Sequence, residues 1–524
     1  MNADIGLRMM RGLSIPLRTV ATAHARREMA TAVPGGQPTI KKSFLRRYGG
    51  KVILSVVAVG AGLFTYEVYN ARHPPKQFTW DHSKKTIAIL GSGWAATSLI
   101  KDLDTENYNV VVVSPRNYFL FTPLLPSCTV GTVELRSIMM PMRYITRFKP
   151  RQIAFVEGGC NQIDVENKVL TVEDNSEIVG EVSSQKIPYD YLVVACGAEN
   201  ATFGIPGVRE YSCFLKEAWD AKKIRTRLMD CLETAAFPGQ VESEVDRLLH
   251  MVVVGGGPTG VEYAAELYDF LKEDLADWYP ELAPKIKITL VEALPHVLPS
   301  FSKELITYTE KHFAEAKVKI LSNTMVKEVK QKELIVQNPQ KQIEKIPYGL
   351  LVWATGNTAR QVVADLIKKL PSNLQNQRRG LVVDDYLKVK GSDNIYALGD
   401  ASATKWPPTA QVASRQGHYL AATFNQLARI DADRDKLLAA GEDPSAIAGQ
   451  VVKPFNYKDL GALAYIGSDK AIADLPGNVH VGGALTFWFW RSAYLSNLFS
   501  LRNRVLVAFD WAKKSLFGRD ISRE

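Results

Sequence analysis

Short, continuously apolar runs alternate with glycine turns and helix-period segments through the middle of the chain. "KKTIAILGSGWAATSLIKDL" reads as a buried strand, a tight turn and a helix, and "LLHMVVVGGGPTGVEYAAEL" repeats that order further along. Runs of four to eight apolar residues closed by glycine are the mark of strands covered on both faces, as in parallel sheets. "NYNVVVVSPRNYFLF", "KIKITLVEALP", "YDYLVVACGAE" (Tyr189 to Glu199), "YGLLVWATGNTAR" (Tyr348 to Arg360) and "NIYALGDAS" supply further strands of this kind. After the last of them, "PPTAQVASRQGHYLAATF" predicts a helix whose first turns are packed with small residues and amides. The pattern predicts an α/β fold with two Rossmann-like dinucleotide-binding domains.

Glycine spacing in the two turns carries the first chemistry. In Gly91-Ser92-Gly93-Trp94-Ala95-Ala96, the first glycine permits the tight turn and the second lets the backbone approach a pyrophosphate. Ala96 holds the third place, keeping helix and strand close. Gly255, Gly257 and Gly260, with Pro258 and Thr259 between them, repeat the fingerprint. A glycine turn before a helix can be merely structural; two in register with strand and helix point to two nucleotides held face to face. After the second fingerprint a strand ends at Glu292, placed to bond an adenosine ribose and repel a 2′-phosphate, which predicts NADH over NADPH. After the first, Ser114 takes that place with Arg116 nearby, so the acid is missing while a hydroxyl remains. Asp400, at the end of "NIYALGD", suits the ribityl chain of a flavin or simply caps a helix.

The two ends of the chain follow other rules. Residues 1–40 carry Arg8, Arg11, Arg18, Arg26 and Arg27 against Asp4 and Glu28, the pattern of a mitochondrial transit peptide or of a basic tail. "KVILSVVAVGAGLFTYEVY" is apolar all round from Val52 to Tyr66 and predicts a single membrane span within 41–72, somewhat short of the usual twenty residues. Lys41, Lys42, Arg46, Arg47 and Lys51 precede it and fewer cations follow, which places the N-terminus in the matrix and the body in the intermembrane space. From 451 to 524 aromatic clusters alternate with Arg491, Arg502, Arg504, Lys513, Lys514 and Arg519, predicting basic amphipathic helices that lie in a membrane interface or form a dimer face. The remaining expected units are 84–215 and 351–450 for one nucleotide domain and 216–350 for the other.

Composition narrows this picture. With 46% apolar and 23% charged residues the chain is neither disordered nor polytopic. Its net charge of +9 gathers at the ends, without the basic, aromatic-laced stripe of a nucleic-acid binder. The five cysteines have neither dithiol nor zinc spacing, and no metal site is expected from them. Asp431, Asp433, Asp435 and Glu442 imitate a calcium loop, but Lys436 stands where the sharp turn needs glycine; a polar loop and calcium-independent activity are expected.

With these residues in hand, the chain resembles the two-dinucleotide-binding-domain flavoproteins. Among them it is similar to the type II (alternative) NADH:quinone oxidoreductases of mitochondria, as an external-facing fungal member. "GSGWAA", "SPRNYFLFTPLLPS", "FGIPGV", "VVVGGGPTGVE", "WATGN", "ALGDAS", "PPTAQVA" and "LGALAYIG" carry the resemblance in order from about residue 86 to the C-terminus. It implies noncovalent FAD on the first cradle and NADH on the second, with the nicotinamide near Thr355 and Gly356. It also implies a C-terminal membrane-anchoring α+β segment where ubiquinone reaches the flavin, and respiratory electron transfer without proton pumping. Glu217 matches an acid near flavin and nicotinamide; a solvated Lys-Glu pair at a helix start is its alternative. The family pattern A-Q-x-A-x-Q-x-G is kept at Ala410, Gln411, Ala413 and Gly417, assigning Gln411 to flavin and quinone. Arg415 replaces the second Gln, with Gln416 pointing about 100° away from it. Inner-membrane lipids and a second copy of the chain are the expected partners. An apoptosis-inducing-factor-like NADH oxidase or a disulfide reductase of the same superfamily is the alternative, the latter opposed by the solitary Cys128. A membrane-tethered scaffold with inactive nucleotide folds is the alternative from another class.

Overall fold

The computed structural model describes residues 42–178, 180–441, 443 and 452–523. The segment read as a transit peptide lies outside them. Two compact units divide the chain, Met1–Ala71 and Arg72–Glu524.

In the first unit the segment read as a membrane span lies on a continuous 31-residue helix, Lys42–Arg72. Among the described residues, however, no helix is long and apolar enough to cross a membrane. The apolar stretch is diluted by Ser55, Gly60, Gly62 and Thr65 and stopped by Glu67, so a window of spanning length always takes in polar groups. This corrects the single-span expectation, and the orientation drawn from its flanking charges falls with it.

Two parallel five-stranded sheets build the second unit. The first runs in the order Ile395–Ala397, Tyr191–Val194, Thr86–Leu90, Asn109–Ser114, Ala154–Glu157. Every residue of Asn109–Ser114 is buried, which is why its sequence is apolar without alternation. The second runs Cys213–Phe214, Leu350–Trp353, His250–Val254, Lys287–Val291, Lys319–Leu321. Each sheet is accompanied by a three-stranded antiparallel meander, Gly159–Asp164 to Ser184–Pro188 and Met325–Val329 to Ile343–Pro347. The two crossings between the nucleotide folds pair as antiparallel strands, Ala198–Asn200 with Asn357–Ala359.

The long helix Ala410–Ala440 starts at Thr409, whose side chain accepts from Val412 N at 3.2 Å. It crosses the first nucleotide helix, Trp94–Asp102, at its closest point through Gly417: a Cβ there would lie 2.4 Å from the Ala95 carbonyl oxygen. Ser98 and Ser414 hydroxyls meet beside that contact at 2.8 Å. Asp431, Asp433 and Asp435 sit on this helix rather than in the expected loop, and Asp431 pairs with Lys85 at 2.8 Å. Helical backbone cannot converge alternate residues on one ion as a calcium loop does. Glu442 lies outside the described residues. A final antiparallel sheet, Ala462–Gly467, Lys470–Leu475 and Val479–Gly483, precedes the helices Ala484–Asn497 and Leu501–Phe517 and packs on the second nucleotide helix, Pro258–Phe270.

Candidate active site

The first glycine turn is built for a close-approaching ligand. Gly91 has φ +114°, and a Cβ would fall 2.4 Å from the Ala195 carbonyl oxygen, so only glycine lets the turn clear the next strand. Gly93 has only the Arg116 side chain within reach of a Cβ, at 3.7 Å, leaving its outer side open at the start of the Trp94–Asp102 helix. Free first-turn N–H groups and the helix dipole there suit a pyrophosphate. Ser114 does not face that opening. Its hydroxyl is buried and donates to Ser92 Oγ at 3.0 Å, and Arg116 Nε also donates to Ser92 Oγ, at 3.2 Å. Ser92, Ser114 and Arg116 thus brace one another beneath the turn.

The cradle's far end is formed by Gly399 and Asp400. Gly399, at φ +59°, donates its N–H to Gln416 Oε1 at 2.6 Å, which fixes the strand end against the long helix. Beside it a shallow, open cleft is lined by Gly399, Ser402, Trp406, Pro407, Thr409 and Val412. With the N-terminus of Ala410–Ala440 at its rim, the cleft suits the polar edge of an isoalloxazine carrying negative charge. Turn, Asp400 and cleft together fit FAD.

The second turn repeats the logic more completely. Gly255 has φ +115° and meets Ala354 and Thr355 at 2.8 Å from a built Cβ. Gly260 could carry none, because it would lie 1.9 Å from the Gly255 carbonyl oxygen. A Cβ on Gly257, by contrast, would meet nothing within 4 Å, so the pyrophosphate side is open, with Pro258 and Thr259 opening the helix beyond it. Glu292 stands at the strand end as read from sequence. Its carboxylate accepts from the Gly256 N–H and, at 2.7 Å, from the Leu294 N–H, which fixes its orientation at the turn. Gly356 adopts φ +75° under the exposed ring of Phe203.

Between the cradles lies Glu217, at the start of the helix Ala218–Ala236. It is not a solvated partner of Lys216. Its side chain is only 15% exposed, and its two oxygens are taken by Arg116 Nη1 and, at 3.1 Å, by Arg360 Nη2. Arg360 also donates through Nε to the Cys196 carbonyl at 2.8 Å. One carboxylate therefore ties the flavin-side loop to the crossing strand. Sequence reading missed Arg360, although "WATGNTAR" contains it, and also missed Lys216. Lys216 Nζ donates to Asn357 Oδ1 at 2.7 Å, and burial holds its ammonium below the usual lysine range against the opposing charge of Asp400.

Gln411 and Arg415 share one face of the long helix. Gln411 Oε1 accepts from the Tyr457 hydroxyl and from the Leu460 N–H at 3.3 Å, while Arg415 is exposed one turn further on. Tyr457 packs edge-on against Trp406 at 5.5 Å. Gln416 is fully buried on another face. The arrangement makes an aromatic and amide mouth between the flavin cradle and the C-terminal sheet. All five cysteines are free, and Cys128 is buried with its thiol pushed well above the usual range, first by desolvation. A disulfide-reductase centre needs an exposed, low-pKa thiol with a partner.

Comparison with known proteins agrees with this geometry. Residues 85–417 match the family described as pyridine nucleotide-disulphide oxidoreductase, and residues 460–520 match the NDH2 C-terminal domain. The chain is 49% identical over 516 residues to the external alternative NADH-ubiquinone oxidoreductase of Yarrowia lipolytica mitochondria, covering 92% of this chain and 88% of that one. It is 44% identical to the external NADH-ubiquinone oxidoreductase 2 of Saccharomyces cerevisiae, covering 93% and 94%. Among solved structures, NDH2 from Plasmodium falciparum in complex with NADH superposes with TM-score 0.76 at 28% identity, over 84% of this chain and all 100% of that one. The sulfide:quinone oxidoreductase of Aquifex aeolicus shares the fold at TM-score 0.60 and 18% identity, over 83% of this chain and 96% of that one. The chain belongs to the pyridine nucleotide-disulphide oxidoreductase family, within its branch of mitochondrial type II (alternative) NADH-ubiquinone oxidoreductases.

Proposed function

We propose that this chain oxidises NADH and reduces ubiquinone at the mitochondrial inner membrane, with FAD held noncovalently between the two substrates. The observation that carries this reading is the pairing of two open glycine cradles across Glu217, one of them with its ribose acid already anchored by backbone N–H groups. FAD, when bound, supplies the hydride acceptor and two-electron store that the protein's own side chains lack. Gly91, Ser92, Gly93, Trp94 and Ala95 form its pyrophosphate turn, braced by Ser114 and Arg116, with Asp400 and Gln411 at the ring end. Gly255, Gly257, Pro258, Thr259, Gly260 and Glu292 hold NADH, and Thr355 and Gly356 face its nicotinamide. Glu217 orients both sides by gripping Arg116 and Arg360; Gln411 and Arg415 meet the quinone.

The C-terminal helices support contact with lipid. Leu485, Trp488, Phe509 and Phe517 are 88%, 61%, 63% and 83% exposed, beside Arg502, Arg504 and Lys513. Such a face lies in the headgroup region and lets quinone enter from the membrane; a second copy of the chain can share it as a homodimer. The external relatives in two yeasts favour an active site facing the intermembrane space. The family resemblance supports electron transfer that moves no protons across the bilayer, and NADH oxidation by the protein in sealed liposomes should leave their internal pH unchanged.

The test is anaerobic: purified protein carries a yellow flavin that NADH bleaches and ubiquinone restores. Protein without flavin, or bleached flavin that quinone leaves reduced, overturns the reading. Adding NADH to intact mitochondria decides the facing, since only an outward site oxidises it without permeabilisation.

A further inference from the structure

Residues 201–207, "ATFGIPG", form an arch pinned at both ends. At the near end the Ala201 N–H donates to the Gly356 carbonyl at 3.3 Å, and the Ala201 carbonyl accepts from the indole N–H of buried Trp353 at 3.0 Å. At the far end the Pro206 carbonyl accepts from the Val329 N–H at 2.9 Å. Gly207, at φ +77°, lies so close to Val329 that a Cβ would fall 1.8 Å from its carbonyl oxygen. A turn bond from the Ile205 N–H to the Thr202 carbonyl, at 2.9 Å, closes the crown between these ends. Phe203 sits on the crown.

Phe203 is unusual in backbone and side chain alike. Its backbone is left-handed, at φ +54°, a conformation that glycine adopts freely and a residue with a Cβ avoids. Its side chain is 66% exposed, so the ring gains little apolar burial there. A single exposed ring is ordinary on a protein surface. One held by strained backbone beside a substrate site is a sign of function. Gly204, which follows it, is also left-handed at φ +71°, and a Cβ there would meet nothing within 4 Å, so the crown has open space around it.

The ring rests on Gly356. A Cβ at that position would meet Phe203 Cζ at 2.5 Å and Cε2 at 2.9 Å, so the missing side chain of Gly356 is what seats it. Thr355 and Gly356 follow the strand Leu350–Trp353, and Thr355 stands against the second glycine turn, 2.8 Å from a Cβ built on Gly255. Asn357, the next residue, is held by Lys216. The ring therefore stands over the run assigned to the nicotinamide, with its outer face in water.

We propose that Phe203 is a substrate-contacting residue that closes on the nicotinamide of NADH and covers the face turned away from the flavin. The proposal rests on the function given above. Hydride transfer needs one nicotinamide face against the flavin; the other meets water unless the protein covers it. Phe203 supplies a flat apolar surface on an arch whose ends are fixed and whose crown can turn about Gly204. Burying both rings on binding offsets the cost of the left-handed backbone. The ring makes and breaks no bond; it orients the nicotinamide and excludes water.

The test compares the flavin-loaded wild type with Phe203→Gly, which suits the left-handed backbone and removes the ring, and with Phe203→Tyr, which keeps the ring. Calorimetry measures the binding of NAD+ and of ADP-ribose, which lacks the nicotinamide, to the oxidised protein. For Phe203→Gly the expected result is NAD+ bound about three- to tenfold more weakly, the range of one lost aromatic stacking contact, with ADP-ribose affinity unchanged. Its melting temperature stays at or above that of the wild type, because no buried packing is lost and the strain is relieved. In steady state the NADH KM rises by the same factor while the quinone KM does not move. Phe203→Tyr restores both NAD+ affinity and NADH KM. Wild-type NAD+ affinity in Phe203→Gly, an equal loss for ADP-ribose, a lowered melting temperature or a failure to fold overturns the assignment. A wild type that binds neither nucleotide, or whose flavin NADH does not bleach, overturns the proposed function instead.

Discussion

Replacing Glu292 with Gln tests whether the strand-end acid reads the ribose. In the native site one carboxylate oxygen accepts from Gly256 and the other from Leu294, at 2.7 Å, with the residue only 9% exposed. Four lone-pair sites serve two internal bonds, leaving capacity for two ribose hydroxyls. An amide keeps one acceptor oxygen and turns the other position into a donor, so either Gly256 or Leu294 loses its partner. The ribose then loses a charge-assisted hydrogen bond of about 1.5–3 kcal/mol. At about 1.4 kcal/mol per factor of ten, the NADH KM should rise roughly 10- to 150-fold. The kcat should change little, because the ribose is remote from the transferred hydride and binding is lost equally in ground and transition states. NADPH, no longer repelled by an anion, should lose less or gain. Steady-state kinetics with each nucleotide at saturating quinone measures this. An NADH KM within about threefold of wild type, or an unchanged NADH to NADPH preference, refutes the assignment.

Other expectations follow from packing and charge. Gly417→Ala puts a methyl 2.4 Å from the Ala95 carbonyl oxygen; forcing the helices apart should cost about 1–3 kcal/mol and release FAD at lower temperature, seen as flavin fluorescence during a melt. Glu244 is held down to about 2 by Arg247 and then Lys332, so its stabilisation is complete above about 4.5 and lost as pH falls toward 2. Glu244→Gln should flatten acid denaturation in that window while costing about 1 kcal/mol or less at neutral pH, since the pair is partly solvated. Trp488→Ser with Phe517→Ser should lower flotation with anionic liposomes and leave ferricyanide reduction intact; unaltered flotation would remove these side chains from the lipid contact.

Where the sequence proved legible, a single local rule governed each position. Both glycine turns, Glu292 at its strand end and the helix after Thr409 follow from φ sign, strand burial and N-capping, which neighbouring residues impose. Arg360 and Lys216 escaped because their meaning arises only when two distant crossings pair at Ala198–Asn200 and Asn357–Ala359. The two meanders escaped for a related reason: their strands, such as Ser184–Pro188 with four of five positions exposed, lack the apolar runs that marked the sheets. The membrane span failed on length, because an all-round apolar pattern says nothing about whether it persists for a bilayer's thickness. Asp431, Asp433 and Asp435 suggested a loop by composition, yet the helix that begins at Ala410 continues through them, with Arg434 and Lys436 pairing their charges.

The long helix shows why Gln416 cannot stand in for the Gln that Arg415 replaces. One residue of offset is about 100°, and the two faces have incompatible tasks. Gln416 spends its oxygen on the Gly399 N–H at 2.6 Å, a bond that holds Asp400 at the cradle's end, and the residue is 0% exposed. Turning it toward the quinone mouth would leave that buried N–H unpaired at about 1–3 kcal/mol. The mouth is therefore left with the Gln411–Tyr457 pair and an exposed cation in place of a second amide. A guanidinium only donates where an amide can also accept, so the substitution trades an acceptor for donors on this face; if Arg415 meets quinone as proposed, Arg415→Gln should alter the quinone KM and leave the NADH KM unchanged.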